Sequence, residues 1–168
     1  MKWDVKHDRA KKVLNHFLDN AGYRTETESL TEGLTEEEIQ EVSAVAKLTA
    51  EQIENLAKEI REFLLEHGLW QDVDIYFNGK KYTSYDPENG EYYYNDREHL
   101  IEVADQPERH FEYVNPEHIL SMSFEGPVCE MLYYGILPSV RKEFDKIFER
   151  YGLYYEFGHH WNFSCYYI

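Results

Sequence analysis

At Trp70 the hydrophobic period of this chain changes from that of a helix to that of a strand, and the change decides which folds are open to it. Before Trp70, the residues Ile53, Leu56, Ala57, Ile60, Phe63 and Leu64 recur at spacings of three and four, which places them on one stripe of a helix that Gly68 can close. After it, Val73, Ile75 and Phe77 alternate with Asp72, Asp74 and Tyr76, the period of a strand. Asn78-Gly79 follows at once, and these two residues tolerate the positive φ angles of a two-residue hairpin turn. Such a turn sets Phe77 opposite Lys80 and Ile75 opposite Tyr82, so Val73, Ile75, Phe77 and Tyr82 share a face. Strands joined by tight turns are antiparallel, because a parallel pair needs a crossover of a dozen residues or more.

The flanking segments extend this pattern. Ala10, Val13, Leu14, Phe17, Leu18 and Ala21 predict a helix from about Val5 to Ala21, followed by a loop over Thr25–Gly33. Leu34-Thr35-Glu36-Glu37-Glu38-Ile39 and Leu48-Thr49-Ala50-Glu51-Gln52-Ile53 are matching helix starts. In each, Thr is the cap, Glu38 or Gln52 completes a capping box, and Leu pairs with Ile across the first turn. A second turn at Asp86-Pro87-Glu88-Asn89-Gly90 predicts that residues 91–94 extend a meander. Strands are expected at Leu100–Val103 and Leu120–Phe124. Pro127 and Pro138 open two helices, the first running through Tyr134 and the second carrying Val140, Phe144, Ile147, Phe148 and Tyr151. Gly152 ends the second, and a terminal hairpin pairs Leu153, Tyr155 and Phe157 with Trp161, Phe163 and Cys165 about a turn at residues 158–160. The expectation is an α+β fold, with N-terminal helices and a C-terminal helix pair packed on a mostly antiparallel sheet with β-hairpins. At 168 residues the chain reads as one domain, helical over 1–68 and sheet-rich over 69–168.

Several function classes lack their residues. None of the nine glycines forms GxGxxG or GxxxxGK[ST], so no loop is built to cradle phosphate, and no cofactor is expected. No GxSxG elbow marks a serine nucleophile. Cys129, in the first turn of a predicted helix, reads as a packed thiol rather than a thiolate, and Cys129 and Cys165 have no CxxC spacing. His110-Phe111-Glu112 mimics half of a zinc-deaminase signature whose PCxxC half is missing. Glu156, His159 and His160 crowd one turn and are the candidate metal ligands, although no HExxH or Cys/His spacing supports them. With no apolar window of spanning length and no signal-like N-terminus, a cytoplasmic protein without membrane contact is expected.

Charge then narrows the partners. The chain has 33 acidic and 17 basic residues, a net charge of -16. Residues 1–24 hold six basic and three acidic groups, and residues 136–168 hold four of each. The excess therefore lies in residues 25–135, where Glu dominates even the helix pair that might be taken for a helix-turn-helix. A nucleic-acid binder must neutralise phosphates with Lys and Arg, so direct nucleic-acid binding is not expected. Aromatics make up 16% of the chain, with fifteen tyrosines, so it is no acidic disordered tail.

These features point to a non-enzymatic acidic protein-binding module whose partner is a basic protein. Its narrower form is an inhibitor that mimics nucleic acid and blocks a nuclease, restriction or CRISPR-type protein. Helical carboxylates one turn apart sit roughly 5–6 Å from each other, comparable with phosphates along a strand. Candidate contact residues are Glu36, Glu37, Glu41, Glu51, Glu66, Asp72 and Asp74, with Tyr92 and Tyr94 from the Tyr92-Tyr93-Tyr94 run, since exposed tyrosines favour interfaces. In size and acidity the chain is similar in kind to antirestriction and anti-CRISPR inhibitors and to nuclease immunity proteins, a likeness of composition attached to no motif. The alternative is a small metal-dependent hydrolase using Glu156, His159 and His160. Composition leaves the oligomeric state open.

Overall fold

A computed structural model describes residues 35–37 and 47–168 of the chain. Internal contacts divide the chain into two units, Met1–Thr49 with Ile168, and Ala50–Tyr167. Every element described below belongs to the second. The expected Val5–Ala21 helix, the Thr25–Gly33 loop, and Glu38 and Glu41 lie outside the described residues, whereas Glu36 and Glu37 are helical and exposed.

The second expected capped helix is α1, Ala50–Glu66, burying Leu56, Ala57, Ile60, Leu64 and Leu65. It closes as the glycine predicts. Gly68 takes φ +67°, its N–H donates to the Leu65 carbonyl at 3.2 Å, and the Leu69 N–H reaches back to the Leu64 carbonyl at 2.7 Å, capping two carbonyls at the helix end. Then come β1 (Val73–Phe77), β2 (Lys80–Thr83), β3 (Tyr85–Asp86), β4 (Glu91–Tyr92), β5 (Ile101–Ala104), a 3-10 turn at Pro107–Arg109, and β6 (Ser121–Phe124). The chain ends with α2 (Gly126–Leu132), α3 (Pro138–Arg150), β7 (Leu153–His159) and β8 (Asn162–Tyr167). Pro occupies the first turn of α2 and α3, where its missing N–H costs nothing.

Six strands form one sheet in the order β5-β2-β1-β6-β8-β7, and every neighbouring pair is antiparallel. Within Ala50–Tyr167 three helices pack with that sheet, α1 against β1, α3 against β7 and α2 against α3, so the fold is α+β. The register set by Asn78-Gly79 is the expected one, with Phe77 opposite Lys80 and Ile75 opposite Tyr82. The meander is not. Tyr85 pairs with Tyr92 and Asp86 with Glu91, but this β3–β4 hairpin is a separate two-stranded sheet, and β5 takes the place beside β2. The chain leaves the sheet at Ser84, whose N–H and carbonyl are taken by the Val73 carbonyl and the Tyr93 N–H. Arg61, buried on α1, then pins the returning loop by donating to the carbonyls of Asp96 and His99 at 3.0 and 3.1 Å, which delivers residues 101–104 to the open side of β2.

The two faces of the sheet differ in chemistry. On one, Tyr82, Ile75, Met122 and Phe163 lie in cross-strand register. Phe163 packs against Phe144 and Phe148 of α3, with ring centroids 6.4 and 5.7 Å away, and Phe144 reaches Phe63 of α1 at 5.7 Å. This is the apolar core, roofed by helices. The opposite face carries Thr83, Asp74, Ser123 and Asn162 in one row and Lys81, Tyr76, Ser121 and Ser164 in the next. A strap formed by residues 105–119 crosses it, with Phe111 buried 5.7 Å from Tyr76 and 5.8 Å from Trp161.

Candidate functional site

The polar face is where the sheet concentrates groups capable of chemistry. Lys81 Nζ lies 2.9 Å from Asp74 Oδ2 and 3.3 Å from Asp105 Oδ2, and Asp105 Oδ2 also meets His110 Nε2 at 2.8 Å. The Tyr76 hydroxyl donates to Asp74 Oδ2 at 3.2 Å. Burial, then the neighbouring Asp74 carboxylate, pushes the Tyr76 phenol well above its ordinary range. Burial alone would raise the Asp105 carboxyl, but the Gln106 amide, His110 and Lys81 outweigh it and hold the group below its ordinary 3.8. Each charge in this cluster has its counter-charge within the protein.

Beside it, Ser121 Oγ lies 3.1 Å from His118 Nδ1, and His118 Nε2 lies 3.0 Å from Glu108 Oε1, a serine, histidine and carboxylate in hydrogen-bonded sequence. Spacing along the chain could not show this, since the trio comes together only when the strap folds back on β6. The order of burial is the reverse of what nucleophilic catalysis needs. Ser121 is 0% exposed and shares its Oγ with Ser164 Oγ at 2.7 Å, while the carboxylate is at the solvent end. A nucleophile must reach a substrate carbonyl, with its base behind it. Here the hydroxyl is sealed in the sheet, so the trio fastens the strap to the strands.

The terminal turn falls at residues 160–161 and not at 158–160, because β7 runs on through His159, and the three candidate ligands separate. Glu156 pairs with Ser164 across β7 and β8. His159, at the register shift that follows Phe157, stacks on Trp161 at 5.5 Å and 9° and leans on Tyr113 at 5.5 Å, and its backbone N–H donates to Asn162 Oδ1 at 2.5 Å. His160, one residue on, lies against the Tyr133 ring at 5.7 Å. Among the described residues no three His, Cys, Asp or Glu side chains are grouped to hold a metal ion. Cys129 and Cys165 are free thiols, and burial, aided at Cys129 by Glu125 and Glu130, pushes both above the usual thiol range.

The acidic and tyrosine candidates fall in several places. Glu51 and Glu66 are exposed at opposite ends of α1, roughly 22 Å apart at 1.5 Å per residue. The carboxylates between them are largely answered: Glu54 by Lys58 and Lys80, Glu59 by Arg150, and Glu62 by Arg61 and Arg97. Asp74 belongs to the cluster under the strap. Asp72, Tyr92 and Tyr94, by contrast, come together. The exposed Tyr85, Tyr92 and Tyr94 rings form a ladder with centroids 4.9 and 5.3 Å apart, and the Tyr94 hydroxyl donates to Asp72 Oδ1. That hydrogen bond, reinforced by desolvation and the carboxylate's charge, pushes the Tyr94 phenol up to about 12. Around the ladder, Asp86, Glu88 and Glu91 have no cationic partner among the described residues. Tyr85 was not singled out from the sequence; its signal is the cross-strand register with Tyr92 that the Asn89-Gly90 turn imposes.

A second exposed apolar surface, also missed, is the loop between α2 and α3, where Tyr133, Tyr134, Ile136 and Leu137 all face solvent and Leu137 holds φ +60°. Among the described residues no helix is long and apolar enough to cross a membrane. Comparison with protein-family models, with curated proteins and with solved structures finds no match to this chain.

Proposed function

We propose that the protein is a non-enzymatic binding module for a basic protein partner, engaged through the acidic, tyrosine-bearing face of the β3–β4 hairpin. The observation that supports this reading is the Tyr85–Tyr92–Tyr94 ladder, exposed yet held in place by mutual stacking and by Asp72, next to Asp86, Glu88 and Glu91. Tyrosine offers large amphipathic area with few rotors, and rings ordered before binding lose less entropy on contact. Uncompensated carboxylates around such a ladder speed the approach of a basic surface and reject acidic ones.

Nucleic-acid mimicry is the narrower form of the reading. It needs a continuous row of free carboxylates, and on α1 the row is interrupted where Glu54, Glu59 and Glu62 are paired. The general form, basic-protein binding through the hairpin, therefore has the better support. Affinity capture at low salt tests it, with wild type compared against the Tyr92→Ala/Tyr94→Ala double variant. A basic protein should be retained by wild type, released as added salt shortens the roughly 10 Å screening length found at 0.1 M, and lost by the variant. Retention indifferent to salt, or unchanged in the variant, overturns the proposal.

A further inference from the structure

The β5 edge of the six-stranded sheet lies beside that hairpin, and among the described residues no strand pairs with its outer side. Asp105 N–H donates to the Gly79 carbonyl, so by strand alternation Ile101 and Val103 turn their N–H and C=O groups toward β2, while Glu102 and Ala104 turn theirs away. Those four outward groups have no hydrogen-bond partner among the described residues. In front of them runs a groove of about 560 Å³, floored by β5 and walled by Asp86, Pro87 and Glu88 of the hairpin turn and by Glu98. The opposite edge of the sheet differs: β7 is broken by a register shift between Phe157 and His159, a device that blunts an edge against pairing.

We propose that β5 is a strand-addition site that takes an extended, lysine- or arginine-bearing segment of a partner protein, paired antiparallel or parallel to Ile101–Ala104 in the groove. The inference rests on the proposed binding of a basic partner and names the part of the partner that enters. Backbone pairing with Glu102 and Ala104 supplies sequence-tolerant hydrogen bonds, and side chains of alternate residues of the incoming strand face the groove walls. Charge selects the occupant. Among the described residues Asp86, Glu88 and Glu98 have no cationic partner, whereas Glu102 is already bonded to Lys80 Nζ at 2.9 Å. A second copy of this chain would set the same carboxylates against each other, and like charges across paired strands are destabilising. A basic strand places lysines beside these carboxylates. Arg61 sets the geometry as a positioning residue, since its bonds to the Asp96 and His99 carbonyls hold the wall against α1.

The test uses the full chain and two capped hexapeptides of alternating lysine and valine, identical except that one is N-methylated at every residue, so that neither of its edges can donate to a strand. Binding is followed by calorimetry and by amide hydrogen exchange. The unmodified peptide should bind at low salt, weaken as salt rises, and slow exchange at the Glu102 and Ala104 amides. The N-methylated peptide should bind about tenfold more weakly, the equivalent of one or two net backbone hydrogen bonds. Ala104→Pro should give a similar loss, since it removes an outward N–H without touching the bonds to β2. The N-methylated peptide keeps the test decisive if that variant folds poorly. Equal binding of both peptides, with no protection at Glu102 or Ala104, overturns strand addition and leaves acidic recognition standing. If neither peptide binds at low salt, both proposals are overturned. Salt-independent dimerisation that protects the same two amides without peptide assigns the edge to a second copy and overturns the proposal.

Discussion

The two faces of the central sheet are built from alternating residues of the same strands, yet they hold the molecule together by different physics. Under the helices, Ile75, Met122 and Phe163 meet Phe144 and Phe148, and stability there scales with the apolar area removed from water. Under the strap, Asp74, Lys81, Asp105, Ser121 and Ser164 are satisfied pairwise, and each such bond gains little over water but is costly to leave half made. Regular elements can cover an apolar face because packing needs only shape. A polar face needs partners at defined points, and an irregular strap can supply them.

The comparison can be broken most forcefully from the helix side. Phe163→Ala should cost about 3–5 kcal/mol, read as a lower denaturant midpoint, since it opens a cavity where four aromatic rings of α3 and β7 meet it. On the strap side, Ser121→Ala should cost about 1–3 kcal/mol because Ser164 Oγ and His118 Nδ1 both lose a partner inside the protein. A sharper result comes from the double variant Ser121→Ala/Ser164→Ala, which should cost less than the two single variants combined, because no orphaned hydroxyl remains. Strict additivity would mean that the serine pair is not coupled.

Acid should then separate the faces. Asp105 is held below its ordinary value, against burial, by Gln106, His110 and Lys81; Asp96 is held below its own by His99, then by the Glu98 amide. A carboxyl depressed in the folded state contributes stability that is present above its ordinary 3.8 and is lost as pH falls through the folded value. Stability should therefore decline below about pH 4. Lys81→Met should lower it by about 1 kcal/mol at neutral pH and make the acid decline shallower; an unchanged acid limb would show that the strap cluster has no part in it. Smallest is the hairpin. Tyr94 should ionise near pH 12 by ultraviolet titration, and Asp72→Asn should bring it down toward its ordinary 10 while changing stability by less than about 0.5 kcal/mol. A phenol raised in the folded state stabilises fully below its unfolded value and loses that contribution as pH climbs through the folded one.

Much of this arrangement was legible residue by residue. Asn78-Gly79 specified the register of β1 and β2, Gly68 the end of α1, Pro127 and Pro138 the first turns of α2 and α3, and the Leu153–Tyr155–Phe157 alternation the terminal hairpin. The strap was not legible, because Phe111 is its one buried aromatic and no period marks it. Nor was the exit of β3 and β4 from the sheet, since Tyr85 and Tyr92 alternate as sheet residues do. Among the candidate contacts, Tyr92, Tyr94 and Asp72 could be named from exposure and charge, but their meeting depends on hydrogen bonds between Asn95 and Trp70 that tie residues 25 apart in sequence.

Local pattern alone determined the class of fold, because period, turn chemistry and helix caps act within a few residues and need no knowledge of neighbours. The net charge of -16 is likewise set by the sequence, since it depends on composition and not on position. Only the tertiary structure decided, among the described residues, which carboxylates lack a cation, which serines are sealed, and which strands lie at the sheet edges. Those outcomes depend on contacts between distant segments, where Arg61, Lys80 and Lys81 each choose partners that no local spacing records.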